Sequence, residues 1–127
     1  PANLAHYYTG IIYLKQGKFQ DAIDQLKDFS GKDKMVTNMS FGAIGDAYSE
    51  LGNLDDAVDY YKKAAYHFEN ELTTPMFLKK AGMLLENQKK TAEAKKVYEE
   101  IRSKYPNTVE GREMDKYIAR VDVNENS

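Results

Sequence analysis

Residues 41–65, FGAIGDAYSELGNLDDAVDYYKKAA, carry apolar and small side chains at helical rather than strand spacing. Phe41, Ile44, Gly45 and Tyr48 fall at i, i+3, i+4 and i+7, which is one face of a helix. Ala57, Tyr61, Ala64, Ala65 and Phe68 repeat the pattern on a second helix. Gly52 lies between them, where the residue just past a helix end commonly needs a positive φ. Gly45 and Ala57 are small at the expected crossing, so the two backbones can approach. A hairpin of this kind cannot bury its apolar face alone and predicts similar neighbours.

The same pattern extends along the chain. The spacing predicts helices from about Asn3 to Gln16 and from Phe19 to Ser30-Gly31, followed by a polar connector over residues 31–34. Thr74-Pro75 reads as a helix start with Thr74 as N-cap, opening a helix to about Asn87. Another helix is expected from Thr91 to Lys104. Asn107-x2-Glu110 resembles a capping box for a last helix, Glu110 to Val121, with Met114, Tyr117, Ile118 and Val121 on one face. Polar Asn124 and Glu125 interrupt that stripe, so residues 122–127 are expected to form a frayed polar tail. The three prolines, at 1, 75 and 106, all fall at predicted boundaries, and no stretch alternates with period two. The expected class is all-α.

Gly10, Gly17, Ala22 and Leu26 recur as Gly45, Gly52, Ala57 and Tyr61, a constant shift of 35 residues. Gly45, Ala57 and Tyr61 recur again as Gly82, Ala94 and Tyr98, a shift of 37. This helix-turn-helix period resembles the tetratricopeptide repeat (TPR), whose pattern is W-x2-L-G-x2-Y, then A-x3-F, then P. The second unit reads Phe41-x2-Ile44-Gly45-x2-Tyr48 and Ala57-x3-Tyr61; the third reads Leu78-x2-Ala81-Gly82-x2-Leu85 and Ala94-x3-Tyr98, and ends on Pro106. The first reads His6-x2-Thr9-Gly10-x2-Tyr13 and Ala22-x3-Leu26. The resemblance implies a right-handed TPR superhelix, an α-solenoid, with units at 3–36, 38–71 and 75–108 and a capping helix at 109–121. Two departures carry expectations of their own. Lys89 replaces the turn glycine of the third unit, which predicts a less regular turn there. The longer second shift predicts a second helix in unit two running past His67 toward Leu72.

In proteins of this family the first helix of each unit lines a concave groove that binds peptides. Mapping that face here gives Leu4, Tyr7, Tyr8 and Ile11; then Met39, Ala43, Asp46 and Ser49; then Met76, Lys79, Lys80, Met83 and Glu86. Tyr and Met are adaptable contact residues. In unit one the alternative is that Leu4, Tyr8 and Ile11 pack against helices preceding Pro1. Gly10, Ala22, Gly45, Ala57, Gly82 and Ala94 are assigned to the repeat framework. Some family members clamp a chaperone's C-terminal carboxylate on this face with Lys, Asn and Arg. The matching positions here are Tyr7, Ile11, Ala43, Met76 and Lys80, so only Lys80 has a suitable charge and that role is disfavoured.

Charge and composition narrow the function further. The chain of 127 residues has a net charge of −2 and no Cys, which removes disulfides, thiolate catalysis and Cys-ligated zinc and gives no reason to expect nucleic acid. Residues 38–74 carry −5 net and residues 75–108 carry +4. Either solvated faces differ by chance, or the polarity orients a charged partner or a second copy. His6 and His67 have no metal-ligand spacing, and no phosphate loop, HExxH or GxSxG occurs. Asp55-Asp56 sits at a helix start, where the dipole favours it. An enzyme is not expected, nor any cofactor or metal. No apolar run is long enough to span a membrane, so these residues are not expected to insert directly.

The segments GAIGDAY (42–48), FLKKAG (77–82) and YPNTVEGREMDKYIARV (105–121) resemble bacterial TPR proteins with one N-terminal membrane helix. In those the repeats project outside the cytoplasm. The resemblance implies an anchor upstream of Pro1 and an extracytoplasmic, periplasmic-side location. The expected function is a non-catalytic scaffold for a peptide or protein partner. A self-assembling homo-oligomeric module and an accessory domain of a larger enzyme are the alternatives.

Overall fold

The computed structural model describes residues 2–126, with side chains from Asn3 to Glu125. Its seven helices are α1 (Ala2–Lys15), α2 (Phe19–Lys27), α3 (Lys34–Glu50), α4 (Leu54–Tyr66), α5 (Thr74–Asn87), α6 (Thr91–Lys104) and α7 (Val109–Asn126). Among the described residues there is no strand. Each helix packs on the next along the chain, forming three hairpins and a cap. α1 also touches α3, and α5 touches α7, whereas α2 and α4, or α4 and α6, make no comparable contact. α3 and α5 meet through side chains, Gly42 under Phe77 and Lys80 on Asp46, so the first helices form the inner face of an α-solenoid.

The hairpin turns share one hydrogen-bond scheme. In the first, the amides of Gly17 and Lys18 donate to the carbonyls of Leu14 and Tyr13; in the second, Gly52 and Asn53 donate to Ser49 and Tyr48. Gly17 and Gly52 supply the left-handed conformation, with φ of 77° and 81°. The third turn is as regular as these, against expectation. Lys89 adopts φ 64°, and the amides of Lys89 and Lys90 donate to Glu86 and Leu85 in the same scheme. Packing on both sides of the turn imposes the conformation on a residue that does not favour it.

Close approach within each hairpin rests on the framework glycines. A Cβ built on Gly10 would lie 2.5 Å from Leu26, on Gly45 2.7 Å from Tyr61, and on Gly82 2.5 Å from Tyr98. Gly42 does the same between units, under the ring of Phe77. Ala22, Ala57 and Ala94 are fully buried on the facing helices. The core has two parts. Ile23, Leu26, Ala43, Ile44 and Ala47 join units one and two. A larger cluster from Ala57 through Leu78, Leu85, Tyr98 and Ile101 to Met114 and Val121 joins unit two to the cap. Tyr48 packs against both.

Five boundaries differ from the sequence expectation. α2 stops at Lys27, before Ser30. α4 stops at Tyr66 and does not run toward Leu72. The extra residues of unit two instead form a loop folded around Asn70, whose Oδ1 accepts from the amides of Leu72 and Thr73 and whose Nδ2 donates to the Phe68 carbonyl and Thr73 Oγ1. Thr74 is the first residue of α5, not its cap; Thr73 precedes it, and the Thr74 hydroxyl donates to the Ala65 carbonyl at 2.8 Å. Thr108, not Asn107, opens α7, its Oγ1 accepting from the Gly111 amide at 3.0 Å. α7 then continues through residues 122–126, where a frayed tail was expected, and Lys95 pairs with Asp122 at 2.7 Å. Ser127 lies outside the described residues.

Candidate functional site

The inner face is formed by α1, α3, α5 and α7. Its polar residues are joined by ion pairs whose members stand 34 residues apart: Lys80 to Asp46 at 3.0 Å, Lys79 to Glu113 at 3.1 Å, and Arg120 to Glu86 at 2.7 Å. That separation is one repeat, so each pair ties a first helix to the next. Each carboxylate also accepts from a tyrosine: Tyr61 to Asp46 at 2.5 Å, Tyr98 to Glu86 at 2.8 Å, and Tyr117 to Glu113 at 3.0 Å. A cation, a carboxylate and a phenol recur three times down the face.

The ionisation of these groups follows from their neighbours. Burial pushes the phenols of Tyr61 and Tyr98 above their usual range, and the carboxylates that accept from them add to the shift. Burial alone would raise Glu86, but the hydrogen bonds from Arg120 and Tyr98 outweigh it and hold the carboxyl below its ordinary value. Lys79 and Tyr117 lower Glu113 in the same way. All three carboxylates are thus occupied as girders of the superhelix.

The charge asymmetry between units serves the same end. The cations of unit three reach back to unit two through Lys80–Asp46 and Lys90–Asp55, and forward to the cap through Lys79–Glu113, Lys95–Asp122 and Arg102–Asp115. A basic unit sits between two acidic neighbours. Most of these pairs are solvent-exposed and individually weak, but together they favour one order of stacking.

The predicted groove residues divide by placement. Tyr8, Met39 and Met83 are exposed, at 58%, 40% and 45%. Asp46, Ser49 and Lys80 share a cleft of about 440 Å³ with Leu14, Lys15 and Glu50. Met83 lines a second, of about 530 Å³, beside Glu86, Asn87 and Arg120. Tyr7, Ile11 and Met76 are half-buried and turn inward, Tyr7 against Phe29 and Ile11 against the first core cluster, while Met76 packs on the second. Ala43 is not a groove residue: it is buried between units one and two. His6 Nδ1 donates to Gln25 Oε1, 2.9 Å away, and His67 stands edge-on to Phe41 at the end of α4. Glu113 and Arg120 were not legible as inner-face residues; their one signal was the 34-residue offset from Lys79 and Glu86. Among the described residues no cluster of side chains has the composition of a metal site.

Comparison with known proteins agrees with this architecture. Tetratricopeptide repeat models match residues 4–32 and 78–108 in one form and residues 40–66 in another. The chain is also 30% identical over 99 residues to the "Uncharacterized protein ycf37" of Guillardia theta, covering 75% of this chain and 54% of that protein. The chain thus spans about half the length of that relative. Three matched repeats coincide with three hairpins that each have a glycine at the helix crossing, and such repeats form protein–protein interaction modules: the chain belongs to the tetratricopeptide repeat family.

Proposed function

We propose that the protein is a non-catalytic scaffold that holds a peptide or protein partner against the inner face of its superhelix. The carrying observation is the division of labour on that face. Asp46, Lys79 and Lys80 are engaged within the chain, while Met83 and Ser49 each line a cleft and Met39 and Tyr8 are exposed on the same helices. An open, adaptable face framed by fixed charges suits a partner with apolar anchors rather than a strongly charged tail. The resemblance of residues 42–48, 77–82 and 105–121 to bacterial membrane-anchored repeat proteins supports an envelope-anchored, extracytoplasmic setting for this role. No helix among the described residues is long and apolar enough to cross a membrane, so the anchor in this reading lies elsewhere in the natural protein.

In-cell photo-crosslinking of the natural full-length protein tests the reading, with the probe at Met83 and a control at Asp115, an exposed position of the cap that turns toward α6 through Arg102. A discrete product at Met83 alone is expected. Equal products at both positions, or none at Met83, would refute it.

One observation favours a second reading, association of copies. Leu4, Tyr8 and Ile12 form an exposed stripe on α1, although Ala43 and Ala47, one repeat later than Tyr8 and Ile12, are buried against the preceding unit. Sedimentation velocity distinguishes the two: a Tyr8→Lys variant that dissociates an oligomer supports self-association, and a monomer at all concentrations excludes it.

A further inference from the structure

The second helices are unequal in length, and the inequality opens a cleft. α2 has 9 residues, against 13 in α4 and 14 in α6. Its missing last turn leaves the end of α4 uncovered. The resulting space of about 760 Å³ lies between α2 and α4, on the second-helix side and away from the inner face. Its floor is aromatic: Phe41, Tyr60 and Tyr48 lie in a row as tilted rings, the centroids of Phe41 and Tyr48 lying 6.2 and 5.6 Å from that of Tyr60. Beneath lies a smaller pocket of about 120 Å³ that shares Lys27, Phe41 and Tyr60 and is closed by Leu26, Phe29 and Ile44. That is close to the cavity of about 150 Å³ known to hold a benzene ring in a protein core.

Two ammonium groups stand over this floor. Lys63 Nζ is 4.3 Å from the Tyr60 ring centroid. Lys27 Nζ lies 5.6 Å from the same ring and donates to Tyr48 Oη at 2.8 Å. Neither lysine forms an ion pair among the described residues, whereas Lys79, Lys80, Lys90 and Lys95 each hold a carboxylate. Asp56 and Asp59 line the other end, toward the start of α4.

The repeat itself indicates what fills such a seam. Between α4 and α6 the bridging residue is Tyr66, which also borders the end of the first cleft and whose hydroxyl donates to Glu100 at 2.8 Å. The residue one repeat before Tyr66 is Gly31, which has no side chain, and the residue one repeat before Glu100 is Lys63. The first seam therefore lacks its aromatic ring and carries a cation where its neighbour carries an anion.

We propose that the cleft between α2 and α4 is a second binding site, for a peptide segment with an aromatic side chain beside a carboxylate. The ring lies on Phe41 and Tyr60 in the place of the missing aromatic, and the carboxylate meets Lys27 and Lys63. Offset and edge-on ring contacts supply the apolar part, and the paired cations select the charge. Asp56 and Asp59 repel a segment that is acidic throughout and fix its direction along α4.

The test is amide-resonance mapping of the 127-residue chain with three acetylated, amidated hexapeptides: one with Phe next to two Glu, one with Phe next to two Lys, and one with Ala next to two Glu. Saturable shifts at Tyr60, Lys63 and His67 are expected with the first peptide only. The Lys27→Glu/Lys63→Glu variant should weaken that binding by about tenfold or more; both positions are exposed, so its spectrum should otherwise match the parent. Equal binding of the Ala-Glu peptide would reduce the cleft to a basic surface and overturn the proposal. So would equal binding of the Phe-Lys peptide, or no shift at millimolar peptide. Shifts confined to Met39 and Met83 would report the inner face instead and would also overturn it.

Discussion

Replacing Lys89 by glycine should stabilise the protein, although it removes a side chain and adds none. Lys89 is held at φ 64° in the third hairpin turn, where Gly17 and Gly52 take the same conformation in the other two. A non-glycine residue in the left-handed region is disfavoured by about 1–2 kcal/mol. Against this, glycine makes the unfolded chain more flexible, which costs about 0.4–1 kcal/mol. The midpoints of the two ranges differ by about 0.8 kcal/mol, which is the net gain expected. The reverse change is the control. Gly52→Lys adds a Cβ that meets nothing within 4 Å, so any loss there is backbone strain and not collision, and it should be about equal and opposite. Urea denaturation followed by circular dichroism reads both, with the midpoint of Lys89→Gly rising and that of Gly52→Lys falling at unchanged slope. Hydrogen exchange at the Lys89 and Lys90 amides, which close the turn, should slow in the first variant. A lower midpoint for Lys89→Gly, or a neutral Gly52→Lys, would refute the claim that the stack forces Lys89 into a strained conformation.

Three further outcomes follow from the packing and the inner-face network. Ala57→Leu should lower stability by about 1–3 kcal/mol, because Ala57 is fully buried at the hairpin crossing; an unchanged urea midpoint would remove that contact from the fold. Gly82→Ala gains about 1 kcal/mol of helix propensity, yet its Cβ would stand 2.5 Å from Tyr98. It should therefore be destabilising, and should loosen the Arg120–Glu86 pair through Tyr98; a stabilised variant would count against the close approach. Glu86 has a folded pKa held below its ordinary 4.5, by Arg120 and Tyr98 against the opposing effect of burial. Its contribution is present above the unfolded value and is lost as pH falls through the folded one. A urea-midpoint series from pH 7 to pH 3 should fall less steeply below pH 4.5 for Glu86→Gln than for the parent, and parallel curves would exclude the linkage.

Much of this architecture is written locally. Helical spacing of apolar residues, the small residues at 10, 45 and 82, and the turn glycines at 17 and 52 act within about one turn of their own position, so pattern and chemistry alone place seven helices in three hairpins and a cap. The same reading maps Met39, Met83 and Tyr8 to the first-helix face, where they are exposed. What the local pattern does not contain is the effect of residues a repeat away. Lys89 adopts a glycine conformation because the helices on both sides are already fixed. The two additional residues of unit two enter a loop around Asn70 because the Thr74 hydroxyl holds the Ala65 carbonyl and closes the helix end. Ala43 leaves the groove because unit one covers it. Arg120 reaches Glu86 because α7 takes the place of a further first helix. The early end of α2 becomes a cleft only because α4 runs on beside it. Periodicity determines which side of each helix is apolar; the stacking of one unit on the next decides which of those apolar and charged groups are consumed and which remain open to a partner.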